Sequence, residues 1–82
     1  MLGVGRRQEQ VTQGEAEKGI RFLCHEWRKV RRFEAVAEDK LDFGDFYEWV
    51  GSGFPEYLTF RTKEGVRRRV EGWFDDEFGR TL

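Results

Sequence analysis

The sequence predicts a small α+β domain in which two helices flank a three-stranded antiparallel sheet, in the order α–β–β–β–α. The helices are predicted because apolar residues recur at spacings of three and four near both ends of the chain. The sheet is predicted because β-prone residues fill the middle of the chain around a Gly-Ser-Gly turn. A mainly helical domain with three or four helices is the alternative.

The first helix is predicted over residues 15–32. Its apolar residues follow one another at spacings of four, three, four and three, so they form one stripe: Ala16, Ile20, Leu23, Trp27 and Val30. Cys24 widens this stripe, which predicts a buried core cysteine. On the polar side, Glu17 and Arg21 form a favourably ordered i,i+4 pair.

Residues 1–13 are predicted to form a flexible N-terminal tail, because they offer few apolar residues and no periodicity. Residues 14–82 are then a single globular domain near the lower size limit for one self-sufficient core. The chain also has three Trp, two Tyr and eight Phe. Small size and abundant aromatic surface together allow a homodimer.

The sheet is predicted from three segments. Residues 33–37 give the first strand, with extension of the first helix as the alternative. Residues 46–50 and 57–61 are rich in aromatic and β-branched side chains and are predicted to pair as a hairpin around residues 51–56.

The last helix is predicted to begin at Thr62, a good N-cap type, and to end at Gly79. Its apolar stripe is formed by Val66, Val70, Trp73, Phe74 and Phe78. A second hairpin through residues 63–65 is the rival interpretation. Three consecutive arginines would alternate poorly on a half-buried strand, which favours the helix.

The residue types argue against catalysis. Cys24 and His25 are neighbours, so on a helix they point about 100° apart and do not form a nucleophile–base pair. One Cys and one His cannot supply the four ligands of a zinc site. The acidic groups at residues 42–48 and 75–77 are interpreted as solvated surface. We therefore expect no enzyme activity, no metal and no cofactor.

The sequence also bears on localisation. The apolar runs are too short for a membrane span, and the N-terminal residues do not resemble a signal peptide. A single cysteine is typical of a reducing compartment. We expect a cytoplasmic protein without membrane contact.

Charge is nearly balanced in total but segregated along the chain. Fifteen basic residues oppose sixteen acidic ones, which argues against a uniformly basic nucleic-acid binder. In the last helix, the arginines at 67–69 come early and the acids at 75–77 come late, opposite to what the helix dipole favours. A partner could require this reversal, or other elements could neutralise it internally.

These observations favour a small non-enzymatic regulator or inhibitor that binds another protein and occludes its surface. In size and charge it is similar to accessory proteins of phages and mobile elements, such as anti-CRISPRs. Trp, Tyr and Arg are enriched at interface hot spots. The candidate protein-binding residues are Trp49, Phe54, Tyr57, Arg67, Arg68, Asp75 and Asp76.

Nucleic-acid binding is the alternative function. The order α–β–β–β–α resembles that of double-stranded-RNA-binding domains, whose last helix presents basic residues at its start. The resemblance implies phosphate contacts from the same place here. The candidates are Arg61, Lys63, Arg67 and Arg68, although Glu64 interrupts them.

Overall fold

The computed structural model describes residues 11–79, which form three α-helices. These are α1 (Gln13–Val30), α2 (Phe43–Gly53) and α3 (Val66–Glu77), with short 3-10 turns at Glu38–Lys40 and Pro55–Leu58 between them. No strand occurs within residues 11–79. The predicted three-stranded sheet is therefore wrong, and the structure matches the mainly helical alternative.

Helix α2 occupies the place of the first hairpin strand. Phe43, Phe46 and Val50 are buried along one of its faces, at the spacing of three and four that a helix requires. The Asp42 side chain caps the helix by accepting a hydrogen bond from the Gly44 amide at 2.9 Å. Helical spacing and a good cap outweigh the β-prone composition, and residues 51–53 form the last turn of α2 instead of a hairpin loop.

The second hairpin strand is also absent. Part of it lies in the Pro55–Leu58 3-10 turn, and Phe60 then reaches into the core, where its ring centroid lies 5.2 Å from that of Trp73. The segment is anchored by the burial of one side chain and not by a strand ladder.

Residues 33–37, predicted as the first strand, form an irregular connection. Arg28 of α1 holds this segment by donating hydrogen bonds to the carbonyl oxygens of Phe33 at 3.1 Å and Val36 at 2.7 Å. Carbonyl oxygens of the segment are thus satisfied by a side chain instead of by a neighbouring strand.

Helix α1 begins earlier than the sequence predicted. The Thr12 side chain accepts a hydrogen bond from the Glu15 amide, and the Glu15 carboxylate accepts one from the Thr12 amide, which completes a capping box. Of the predicted tail, residues 1–10 lie outside the described residues. The predicted stripe is buried except for Val30, which is 60% exposed, so its assignment to the core is wrong. Cys24 is fully buried, as expected.

Helix α3 begins at Val66, and its N-cap is Gly65 at φ 95°. The prediction of Thr62 as the N-cap is wrong, because the chain needs Gly65 in the left-handed region to turn into the helix. Gly79, with φ 66°, follows the C-cap Phe78, which fits the predicted stop.

The three helices meet at a cluster of aromatic rings. Trp27 of α1, Phe46 of α2 and Phe74 of α3 are fully buried, and their ring centroids lie 5.2 to 5.7 Å apart. The Trp27 indole donates a hydrogen bond to Asp45 at 2.9 Å, so the polar edge of the ring is satisfied. None of the helices in residues 11–79 combines the length and the apolar character that crossing a membrane requires.

Candidate functional site

A groove of about 420 Å³ runs between α1 and α3. We call it the α1–α3 groove. Gly72 and Trp73 line it, and the space beside Gly72 is open, because a methyl group added there would meet no atom within 4 Å. The other lining residues are all charged: Glu17, Arg21, Glu64, Arg68, Arg69 and Asp76.

Arg21 organises one side of the groove. Its guanidinium bonds Glu17 within α1 at 2.8 Å and reaches across to Asp76 and Glu77 of α3, each at 3.0 Å. Burial disfavours the charged form, but hydrogen bonds to Glu17, Glu77 and Asp76 outweigh it and raise the pKa of Arg21. The side chain therefore remains charged and fixes the carboxylates around it.

His25 and Glu77 add a second contact between the same helices. The Nε2 atom of His25 lies 2.7 Å from a carboxylate oxygen of Glu77, and the imidazole packs edge-on against Phe78. The hydrogen bond with His25 is the main cause that lowers the pKa of Glu77, with a further contribution from Arg21. Internal neutralisation, which the sequence left open, thus operates for Asp76 and Glu77.

The arginines at the start of α3 have three different environments. Arg69 pairs with Glu64 at 2.7 Å. The Arg67 guanidinium lies over the rings of Phe43 and Tyr47, 5.1 and 5.2 Å from their centroids. Arg68 is exposed at the groove and takes part in no ion pair within residues 11–79.

The predicted aromatic candidates lie elsewhere. Trp49 and Phe54 are half-buried at the end of α2, with ring centroids 5.3 Å apart, and Tyr57 packs against Gly19 of α1. None of the three lines the α1–α3 groove. Of the candidate protein-binding set, the structure brings Arg68 and Asp76 together there, and Asp75 is half-buried in the same last turns of α3.

The nucleic-acid candidates are interleaved with acids. Arg61 and Lys63 are exposed in the segment before α3. Arg67 and Arg68 line a hollow of about 440 Å³ at the start of α3, and its other lining residues include Glu64 and Glu71. Carboxylates therefore accompany the arginines wherever they come together.

Sequence reasoning missed the contribution of α1 to the groove. It recognised Glu17 and Arg21 as a pair within one helix, whereas Arg21 also bonds residues more than fifty positions later. No local signal reveals such a contact, because it depends on how α1 and α3 pack. It also placed Asp45 on solvated surface, whereas Asp45 accepts hydrogen bonds from Trp27 and Arg31, and the bond from Trp27 is the main cause that lowers its pKa.

Within residues 11–79, no three His, Cys, Asp or Glu side chains are grouped so that they could hold a metal ion. Comparisons of the chain with protein-family models, with curated proteins and with solved structures each found no match.

Proposed function

We propose that this chain is a non-enzymatic protein-binding module that works as a regulator or inhibitor and engages its partner through the α1–α3 groove. The observation that carries the proposal is Arg68, an exposed cation without an ion pair in the described residues, at the rim of a groove whose other charges are held in place. A partner that fits presents a carboxylate to Arg68 and basic side chains to Glu17 and Asp76.

Preorganisation supports this assignment. Arg21 fixes Glu17 and Asp76, and Glu64 fixes Arg69, before any partner arrives. Side chains that are already ordered lose little conformational entropy on binding, so more of the interaction energy contributes to affinity. Electrostatic complementarity across such a surface supplies specificity and speeds association.

The alternating signs favour a protein over a nucleic acid. Nucleic-acid affinity comes mainly from cations that contact phosphates. Here the carboxylates of Glu17, Glu64 and Asp76 line the same groove as Arg68 and would repel a phosphate backbone. A protein surface with charges of both signs has no such conflict.

The chemistry of Cys24 fits a non-enzymatic role. Burial raises the pKa of its thiol to about 12, so the nucleophilic thiolate is not available near neutral pH. A buried cysteine that forms no disulfide is also typical of a reducing compartment, which supports a cytoplasmic location as part of the proposal.

The test is a comparative capture from host lysate with the full chain and two charge-reversed variants. Arg68→Glu reverses the groove cation, and Lys40→Glu makes the same charge change on the exposed Glu38–Lys40 turn. We expect a protein that wild type and Lys40→Glu retain and that Arg68→Glu loses by at least about tenfold, the effect of 1.4 kcal/mol. Equal retention by all three would refute the groove as the binding site.

The alternative, nucleic-acid binding through Arg61, Lys63, Arg67 and Arg68, gives a different result. Duplex RNA or DNA would then bind the wild-type chain at low salt, and the affinity would fall steeply with salt concentration. Reversing Lys63, which lies outside the groove, would weaken that binding as much as reversing Arg68.

A further inference from the structure

The outer face of α1 has an unusual arrangement of charges around one exposed aromatic residue. Phe22 is 63% exposed, although it lies in the middle of the helix. It points away from the buried stripe, and the residues that flank it on the same face are Glu15, Lys18, Glu26 and Lys29. We call these five residues the Phe22 face.

The charges are placed symmetrically about Phe22 but with opposite sign. Lys18 and Glu26 are each four residues from it, or about 6 Å along the helix axis. Glu15 and Lys29 are each seven residues away, or about 10.5 Å. Every charge therefore has a counterpart of opposite sign at the same distance on the other side of the ring.

This pattern makes the face complementary to itself in one orientation. If a second copy lies antiparallel with its Phe22 opposite the first, Lys18 faces the partner's Glu26 and Glu15 faces the partner's Lys29. A parallel arrangement would instead bring each charge close to its own copy and would be repulsive. We infer that two copies of this chain associate antiparallel through the Phe22 face, with the two-fold axis at Phe22.

Apolar surface continues beside Phe22. A mainly apolar hollow of about 520 Å³ lies between Phe22 and Tyr57, with Val11 and Gly19 among its lining residues. In the antiparallel arrangement the two Phe22 rings meet at the two-fold axis, and this hollow borders their contact on each copy. Each aromatic ring is then shielded by the other copy, which removes the largest exposed apolar side chains from water.

The flanking charges are available for such contacts. Lys18 forms no ion pair within residues 11–79. Lys29 has one long contact, 3.4 Å from Glu26, and the Lys29 side chain is 64% exposed. Glu15 uses one carboxylate oxygen in the capping box and keeps the other. Association therefore disrupts only the weak Glu26–Lys29 contact.

The interface is small, so the dimer is a weak one. Interfaces at the low end of the size range belong to transient complexes, so sedimentation equilibrium of the full chain should cover about 10 µM to 1 mM. We expect the average mass to rise from monomer toward dimer in this range, and to rise less in high salt because the ion pairs are screened. A monomer at every concentration would overturn the inference.

Charge reversal tests the orientation. Lys18→Glu places two carboxylates opposite each other at both symmetric contacts. Glu26→Lys places two ammonium groups opposite each other at the same contacts. Each of these two variants should weaken association about tenfold. The double variant Lys18→Glu/Glu26→Lys restores both attractive pairs and should recover wild-type association. Phe22→Ala should abolish it while leaving the helical circular dichroism unchanged, because the ring is exposed.

Glu48→Lys is the matched control, because Glu48 is exposed on α2 and the change in net charge is the same as for Glu26→Lys. We expect it to associate like wild type. Equal weakening by Glu48→Lys would assign the effect to net charge and overturn the pairing. Failure of the double variant to recover would overturn the antiparallel orientation.

Discussion

Gly19 allows a sharp test of how the Pro55–Leu58 turn packs on α1. The position is in the interior of the helix, where alanine normally stabilises relative to glycine by about 0.5–1 kcal/mol. A Cβ atom at Gly19 would, however, overlap the ring of Tyr57, with three ring carbons closer than any real contact. The glycine is therefore required by the close approach of the tyrosine.

The expected magnitudes follow from these two opposing terms. In the wild-type background, Gly19→Ala displaces the half-buried Tyr57 ring, and overpacking of this kind costs about 1–3 kcal/mol. The helix gain offsets part of that cost, which leaves a net destabilisation of roughly 0–2.5 kcal/mol. In a Tyr57→Ala background the obstacle is gone, so the same change should stabilise by about 0.5–1 kcal/mol.

The assay is urea unfolding followed by tryptophan fluorescence on the four chains of the double-mutant cycle. Gly72→Ala is the control, because this glycine lies inside α3 with no atom within 4 Å of an added Cβ, and it should simply stabilise. A stabilising Gly19→Ala in the wild-type background, or equal effects in both backgrounds, would refute the packing of Tyr57 on α1.

Three further predictions concern the core and the charges. Leu23→Ala should destabilise by roughly 2–5 kcal/mol in urea unfolding, because Leu23 is a buried core residue, whereas Glu26→Ala on the same helix should stay within about 0.5 kcal/mol. The pKa of Glu77 is lowered in the folded protein, so its carboxylate stabilises the fold above about pH 4.5. That contribution disappears as the pH falls through the folded-state pKa. Glu77→Gln should therefore flatten the acid side of a curve of stability against pH. Arg67→Ala should lower stability by about 0.5–1 kcal/mol through loss of its aromatic contacts. Arg68→Ala should leave the thermal midpoint unchanged or raise it slightly, because it removes from the start of α3 a cation that is unpaired within residues 11–79.

The outer helices could be predicted from the sequence because their core residues are local and periodic. Ile20, Leu23 and Trp27 follow the helical spacing, and all three are buried. Val30 continues the same spacing but is exposed, because α1 ends there and Arg32 adopts a φ of 61° that turns the chain away. Periodicity alone cannot show where neighbouring elements stop covering a stripe.

The middle helix was missed because the prediction relied on residue composition. Residues 46–50 combine four β-prone side chains and were predicted from that composition, whereas the helical spacing of Phe43, Phe46 and Val50 was not considered. The decisive factor is tertiary, since Phe46 completes the ring cluster with Trp27 of α1. Local propensity is a weak guide wherever burial of a large aromatic side chain is the stronger term.

The three arginines at the start of α3 differ in whether the fold uses them. Cations at the start of a helix oppose its dipole, at about 0.3–1 kcal/mol for each charge near the end. Arg69 is compensated by Glu64 and Arg67 by two aromatic rings, so the fold accounts for both. Arg68 has no ion pair within residues 11–79, yet it occupies the same unfavourable end and faces the α1–α3 groove. A locally unfavourable residue that the fold does not use is expected at a functional site, which is why the proposed function depends on Arg68 rather than on the arginine run as a whole.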